Sequence, residues 1–322
     1  MKQTDTAAGY YSHTLSATVR SWCFVAMIIL PASTIFAKAK LNVVASVPDL
    51  ADMAQHIGGS VVSVVSLATG REDLHAVPAR PTFLPKLNRA DILLTLGLDA
   101  EHAWLPALAD EARNPTIREN GPGWINCYDG ITLLDIPERL DRSEGEQHPL
   151  GNPHYNIGPQ CGTVMADNIE KALAAALPEQ AASFAANGNA YRKELTTLTK
   201  ELQVQGKPLD GITIIEYHPD MSYLCAFYHM PIAGSIEPKA GVPPTAAHLK
   251  KLEQLGREHG VRLIIYNQAQ NPKLPEKLAR TLGCNAVRIA NAVGAQKEIS
   301  SWTNLQRYNL QQLLGGLTGG AR

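Results

Sequence analysis

The sequence predicts an α/β protein of two lobes, each a mainly parallel sheet flanked by helices, joined by one long backbone helix. Three observations carry this expectation. Apolar β-branched runs alternate with helical patterns from Leu41 onward, which is how parallel strands with crossover helices are encoded. The alternation gives way to a helix-rich stretch from about Gly162 to Gln205 and then restarts at Gly211. At 322 residues the chain is long enough for two cores.

Element by element, LNVVASVPDLADMAQHIGG reads as strand, turn and helix, and VVSVVSLA as a second strand ending at the loop TGREDLHAVPARP. PTFLPKLNRA is helical, DILLTLGL a buried strand, EHAWLPALADEA a helix and ITLLDI a further strand. Within the helix-rich stretch, Pro178 and the Asn-Gly-Asn run at 187–189 mark divisions. Leu195, Leu198 and Leu202 follow at steps of three and four residues, the i, i+3, i+4 pattern, and predict one apolar helical stripe. The second half runs GITIIEYH strand, TAAHLKKLEQLGREHG helix, VRLIIYN strand, LPEKLARTLG helix and AVRIA strand. The layout is a leader at 1–39, a first lobe at 40–178, a linker helix at 179–207 and a second lobe at 208–322.

The leader has the order of a secretory signal peptide. Arg20 precedes the apolar run WCFVAMIIL, and PASTIFAKA supplies small residues for cleavage after Ala37 or Ala39. The run is shorter than a membrane span and Pro31 interrupts it. Cys23 lies at the start of the run, so no lipobox closes it and no lipid anchor is expected. These features predict an exported, periplasmic protein.

Composition narrows the function. Hydrophobic residues make up 45% and charged residues 18%, so the chain is globular. A net charge of -1 gives no electrostatic basis for binding nucleic acid or an anionic membrane. Without a G-x-x-x-x-G-K-[ST] loop the chain shows no means of using ATP. Cys127, Cys161, Cys225 and Cys284 are far apart with no CxxC spacing, and read as buried apolar residues whose pairing the sequence does not set.

Three of the ten histidines stand at strand ends or in proline-stiffened loops. His75 follows VVSVVSLA, His154 lies in GNPHYNIGP, and His218 ends ITIIEYH before Pro219. Ligands of open α/β sheets sit at the carboxyl ends of strands, and clefts between domains are common sites. Two histidines from the first lobe and one from the second therefore suit an ion held between lobes, since imidazole is a common ligand of first-row metals. His148 is close enough in sequence to His154 to reach the cleft mouth. His56, His248 and His259 read as surface residues, His102 as a cap, and His229 as a helix-end residue suited to the dipole.

Four segments, in order, resemble the solute-binding proteins of zinc and manganese ABC importers, the TroA-like or cluster A-I family. They are EDLHAVPARP, NPHYNIGP, EYHPDMSY and EPKAGVPPTAAHL, and the resemblance spans roughly residues 40–315. It implies two α/β lobes on a rigid helix, a divalent ion between them held by His75, His154 and His218, a monomer, and delivery to a membrane permease with its separate ATPase. The chain departs from the family at the acids. Asn291 in ANAVGA stands where the family places an Asp ligand, Asn267 in YNQ replaces a Glu, and Gly158 replaces a structural Asp. The remaining candidates for a fourth ligand or an orienting partner are Asn291, Glu237 and Glu216. Three imidazoles with few acids favour zinc over manganese or another first-row divalent metal. The polar loop ERLDRSEGEQHPLG carries one histidine, which gives little basis for a metal-scavenging loop.

The same residues bear on other classes of function. A zinc hydrolase needs a base beside a metal-bound water, and Glu216 is the candidate, but H-E-x-x-H is absent. A carrier of a chelated metal or organic ligand on this fold would line its cleft with aromatics, which total 6% here. A periplasmic zinc chaperone is not separable from a permease-linked carrier by sequence. The expected function is therefore a non-enzymatic metal carrier.

Overall fold

The computed structural model describes residues 6, 8–10, 40–139, 148–239 and 241–319. The expected signal peptide, with Ala37 and Ala39, lies almost wholly outside them. Residues 39–322 form one compact unit. No helix among the described residues is long and apolar enough to cross a membrane.

Two four-stranded parallel sheets organise this unit. The first contains β1 (Leu41–Ala45), β2 (Val62–Ser66), β3 (Ile92–Thr95) and β4 (Trp124–Asn126) in the order β2-β1-β3-β4. The second contains β5 (Ile214–Glu216), β6 (Ile232–Ser235), β7 (Leu263–Asn267) and β8 (Asn285–Ile289) in the order β6-β5-β7-β8. Both orders place a switch point beside the sheet's first strand, which opens a crevice at the strands' carboxyl ends.

Strand composition follows from burial on both faces. In β1, Val43 and Ala45 face a core that also includes Leu263 and Ile265 of β7, while Val44 faces an outer cluster with Phe83, Leu93 and Leu105. In β7, Ile264 joins a corresponding outer cluster with Ile215, Leu252 and Leu278. Alternating side chains thus feed different layers, and the middle layer is continuous between the two sheets.

The first sheet is flanked by α1 (Pro48–Gly58), α2 (Leu84–Asn88), α3 (Leu105–Glu111) and α4 (Gly162–Ala176). The helix α5 (Ala181–Gln205) then runs 25 residues and buries Phe184, Tyr191, Leu195, Leu198 and Leu202. Full burial of each leucine contributes roughly 1.5–3 kcal/mol. Asn-Gly-Asn does not divide this helix, contrary to the sequence expectation. A Cβ at Gly188 would stand 2.0 Å from Glu170 Oε2, so glycine there admits α4 rather than ending α5. Asn187 Nδ2 donates to Ile57 O at 3.0 Å, tying α5 to α1.

After β5 come α6 (Ser222–Tyr228), α7 (Ala246–Glu258), α8 (Lys273–Leu282) and α9 (Trp302–Thr318). ITLLDI, expected as a strand, is irregular. Asp135 in it adopts φ 52, which a strand does not tolerate, and the fourth strand is instead Trp124–Asn126. The segment passes to the crevice, where Leu134 O accepts from Asn152 N at 2.8 Å.

Candidate metal centre

The residues of the centre gather at or beyond the carboxyl ends of strands. His75 follows β2, the segment from Leu133 to His154 follows β4, and His218 lies two residues past β5. Glu237 follows β6, Gln268 follows β7 and Asn291 follows β8. His75, His154 and His218 converge, with one ring nitrogen of each lying within 4.8 Å of the others. His75 Nε2 and His154 Nε2 are 3.0 Å apart.

Each ring is held through its other nitrogen by a different kind of oxygen. His75 Nδ1 meets Ala100 O at 3.1 Å, His154 Nδ1 meets Asn152 Oδ1 at 2.8 Å, and His218 Nδ1 meets Glu237 Oε2 at 2.8 Å. With their Nδ1–H groups so donated, His75 and His154 turn Nε2 lone pairs to the shared space. This is the usual arrangement around a bound metal, where an outer oxygen fixes tautomer and orientation. Two imidazoles on one tetrahedral zinc, with Zn–N near 2.0–2.1 Å, place their nitrogens about 3.3 Å apart. The 3.0 Å pair is close to that spacing.

The supports of these rings are built locally. For His75, Gly97, Leu98 and Asp99 take φ 74, 53 and 61 in succession, a left-handed turn that presents Ala100 O. Two of these are non-glycine residues, so the turn carries strain that its surroundings must offset. Buried Glu101 does so, accepting from Leu96 N at 2.7 Å, Gly97 N at 3.1 Å and Ser46 Oγ at 2.6 Å. For His154, Asn152 Oδ1 accepts from both the ring and the backbone N of His154, the latter at 2.9 Å. Asn152 Nδ2 donates to Asp135 Oδ2 at 2.9 Å and to Pro219 O at 3.0 Å, which links this turn to the His218 turn.

The rest of NPHYNIGP is pinned on both sides. Tyr155 Oη donates to Leu96 O at 2.6 Å, and Trp302 Nε1 donates to Asn156 O at 2.7 Å. Asn156 Nδ2 donates to Asn291 O at 2.9 Å and to Asp49 Oδ1 at 3.3 Å. A Cβ at Gly158 would stand 2.7 Å from Tyr223 Cβ, which gives a packing reason for glycine at that position. The turn is stiff because both lobes grip it, and His154 points from it toward His75.

Burial and neighbouring charge set the protonation of the rings. Burial pushes His75 down to about 4, with Asp73 opposing and His218 adding to the effect. Burial, and then the charges of His75, His218 and His148, hold His154 well below the ordinary range. Burial also lowers His218, but the Glu237 hydrogen bond and the charges of Asp220, Glu237 and Asp73 outweigh it and raise it to about 9. His75 and His154 are thus ready lone-pair donors, and His218 holds a second ring proton that a cation would have to displace to bind there.

The expected fourth-ligand candidates are otherwise engaged. Glu216 accepts from Ser235 Oγ at 2.7 Å and Met221 N at 3.1 Å, and burial, then Asp220, raise it to about 8. Glu237 Oε2 is taken by His218 Nδ1 and by Gly241 N at 3.1 Å. The Asn291 side chain accepts from Gln268 Nε2. Asn267 Oδ1 accepts from Ala269 N at 2.9 Å, and its Nδ2 donates to Asp220 Oδ2 at 2.9 Å.

His148 does reach the cleft, its ring stacked on His75 with centroids 5.1 Å apart. It lines a cavity of about 400 Å³ with Asn152, His154, Glu216 and His218. His56, His102, His229 and His259 are exposed, whereas His248 is half-buried and its Nε2 meets Ser235 O at 3.0 Å. Asn152, Glu101 and Asp220 were not singled out from sequence. Asn152 was legible in principle, because an Asx residue two before a histidine can bond back to it. The other two depend on contacts that only the fold creates.

Two sheets meeting at a crevice that holds a tied imidazole cluster define a two-lobed binding protein of the α/β class. The chain belongs to the ZnuA family, described as the periplasmic component A of a zinc-uptake complex, whose model matches residues 43–316. Among curated relatives it is 22% identical to the metal ABC transporter substrate-binding lipoprotein SsaB of Streptococcus sanguinis, over 91% of this chain and 98% of that one. It is 30% identical to the high-affinity zinc uptake system protein ZnuA of Brucella abortus over 121 residues, 38% of this chain and 36% of that one. A crystal structure of ZnuA shares its fold with a TM-score of 0.72 and 24% identity, covering 87% of this chain and all of that one. The Mn-bound form of a mutant periplasmic metal-binding protein from Candidatus Liberibacter asiaticus has a TM-score of 0.71 at 18% identity, covering 85% of this chain and 98% of that one.

Proposed function

We propose that this protein is an exported carrier that captures a divalent metal ion, zinc foremost, between its two lobes and delivers it to an ABC permease driven by a separate ATPase. The observation that carries this reading is the convergence of His75, His154 and His218 with each Nδ1 tied to its own oxygen. Membership of the zinc-uptake component A family supports it. Three imidazoles suit zinc better than manganese, which prefers oxygen ligands. The leader at 1–39 supports export to the periplasm, and the continuous core beneath both sheets supports action as a monomer with limited lobe closure.

A hydrolytic reading loses its base, because both Glu216 oxygens already accept hydrogen bonds. A chaperone that hands zinc to other apo-proteins uses the same site, so transport separates the two. The test is zinc uptake in the source cell lacking this chain, under zinc limitation, with wild type or His218→Ala restored. Uptake rescued by wild type alone is expected. Uptake that never depends on the chain, with purified protein still binding zinc, would favour the chaperone role.

A further inference from the structure

We infer that Asp220 supplies the acidic ligand of this centre, in place of an acid after the last strand; the inference rests on the metal-carrier reading above. Asp220 lies in the turn after β5, where its backbone N–H donates to His218 O at 2.7 Å. The tight turn His218–Pro219–Asp220 brings the imidazole and the carboxylate to one cavity of about 190 Å³, which His75 and His154 also line.

Its carboxylate is only half-satisfied. The residue is 3% exposed, and Oδ2 accepts from Asn267 Nδ2 at 2.9 Å. Oδ1 is buried and finds no hydrogen-bond partner among the described residues. Leaving a buried carboxylate oxygen unmatched is costly, and such groups persist where a ligand or ion completes them. The Asn267 hydrogen bond fixes the carboxylate plane, as outer-shell bonds do for ligating acids. Both Glu216 oxygens and Glu237 Oε2 are, by contrast, already hydrogen-bonded within the protein.

The two changes at the centre are thereby connected. Asn267 cannot ligate as an acid would, but its amide orients one. The group already converged within 4.8 Å is the three histidines, so Asp220, held by Asn267 in the same cavity, closes on the ion as it binds and makes the set three imidazole nitrogens and one carboxylate oxygen. That set matches four-coordinate zinc and is too poor in oxygen for manganese.

The test uses the mature wild-type protein, Asp220→Asn, Asp220→Ala and, as a control at the same cavity, Asn271→Ala. Zinc affinity is measured by chelator competition, and Co²⁺ is substituted to read coordination from its visible spectrum. Asp220→Asn and Asp220→Ala are expected to weaken zinc by at least about 10-fold and to alter the Co²⁺ bands, with Asn271→Ala leaving both unchanged. Thermal unfolding of the metal-free variants checks folding, and either neutral substitution suffices if the other does not fold. Unchanged affinity and an unchanged Co²⁺ spectrum in a folded Asp220 variant would overturn the assignment while leaving the carrier reading in place. No zinc or Co²⁺ on wild type would overturn both.

Discussion

Asn152 Oδ1 receives two hydrogen bonds from the same residue, the backbone N–H of His154 at 2.9 Å and its Nδ1–H at 2.8 Å. One side-chain oxygen thus fixes both the turn and the ring it displays. Its amide nitrogen is donated to Asp135 and to Pro219, next to His218, so a single residue couples the imidazole-bearing turns of both lobes.

Asn152→Ala removes these constraints and leaves all three rings in place. Zinc affinity is expected to fall by about 10–100-fold, as for other outer-shell partners of ligating histidines. Chelator competition measures this. An affinity within about twofold of wild type would show that the proline turn alone orients His154.

Glu237→Gln tests the protonation of His218. The pKa near 9 means that zinc must displace a proton at neutral pH. The wild-type zinc affinity should therefore gain about tenfold per pH unit from this proton between pH 6.5 and 8.5. In Glu237→Gln burial acts with less opposition, the pKa falls, and that slope flattens above pH 6.5. Zinc titrations at several pH values read the slope; parallel profiles would contradict the account.

Asp49 predicts a pH dependence of stability. It is fully buried on α1 and receives Val293 N at 3.2 Å and Asn156 Nδ2. Burial foremost raises its pKa from 3.8 to about 7. A raised folded-state pKa favours the protonated form, so its contribution is full below about pH 3.8 and is lost as pH rises through 7. Wild-type stability should fall relative to Asp49→Asn across that window, by a few kcal/mol at most (about 1.4 per pKa unit). Denaturant melts of the metal-free proteins at pH 4.5 and 7.5 measure it. A constant difference between the two would contradict the assignment.

Glu101→Ala should affect both stability and metal. It leaves Leu96 N, Gly97 N and Ser46 Oγ without their acceptor and releases the turn that presents Ala100 O to His75. A loss of roughly 2–4 kcal/mol is expected, with weaker zinc binding. Loss of stability with wild-type zinc affinity would mean that the turn does not position His75.

Much of this was legible in the sequence. Alternation of strand and helix gave the two lobes, because parallel strands buried on both faces must be apolar throughout. Strand-end placement and stiff prolines singled out His75, His154 and His218. What failed were short or edge elements. Trp124–Asn126 and Ile232–Ser235 are three and four residues long, too short for a periodic signal. ITLLDI looks like a strand by composition, but Asp135 turns left-handed there. Asn-Gly-Asn reads as a break, yet tertiary packing of Gly188 against Glu170 overrides local propensity. Of the centre's supports, Glu237 was named as a candidate, but its pairing with His218 joins residues 19 apart. Asp220 was overlooked because sequence pattern does not reveal an unsatisfied buried oxygen.

The most direct test of the central claim is zinc titration of the mature protein by calorimetry, with wild type beside His154→Ala. The account predicts one zinc per wild-type chain and binding lost or greatly weakened in a folded His154→Ala protein. A wild type that takes up no stoichiometric zinc, manganese or copper, or a variant that binds zinc as wild type does, would contradict it.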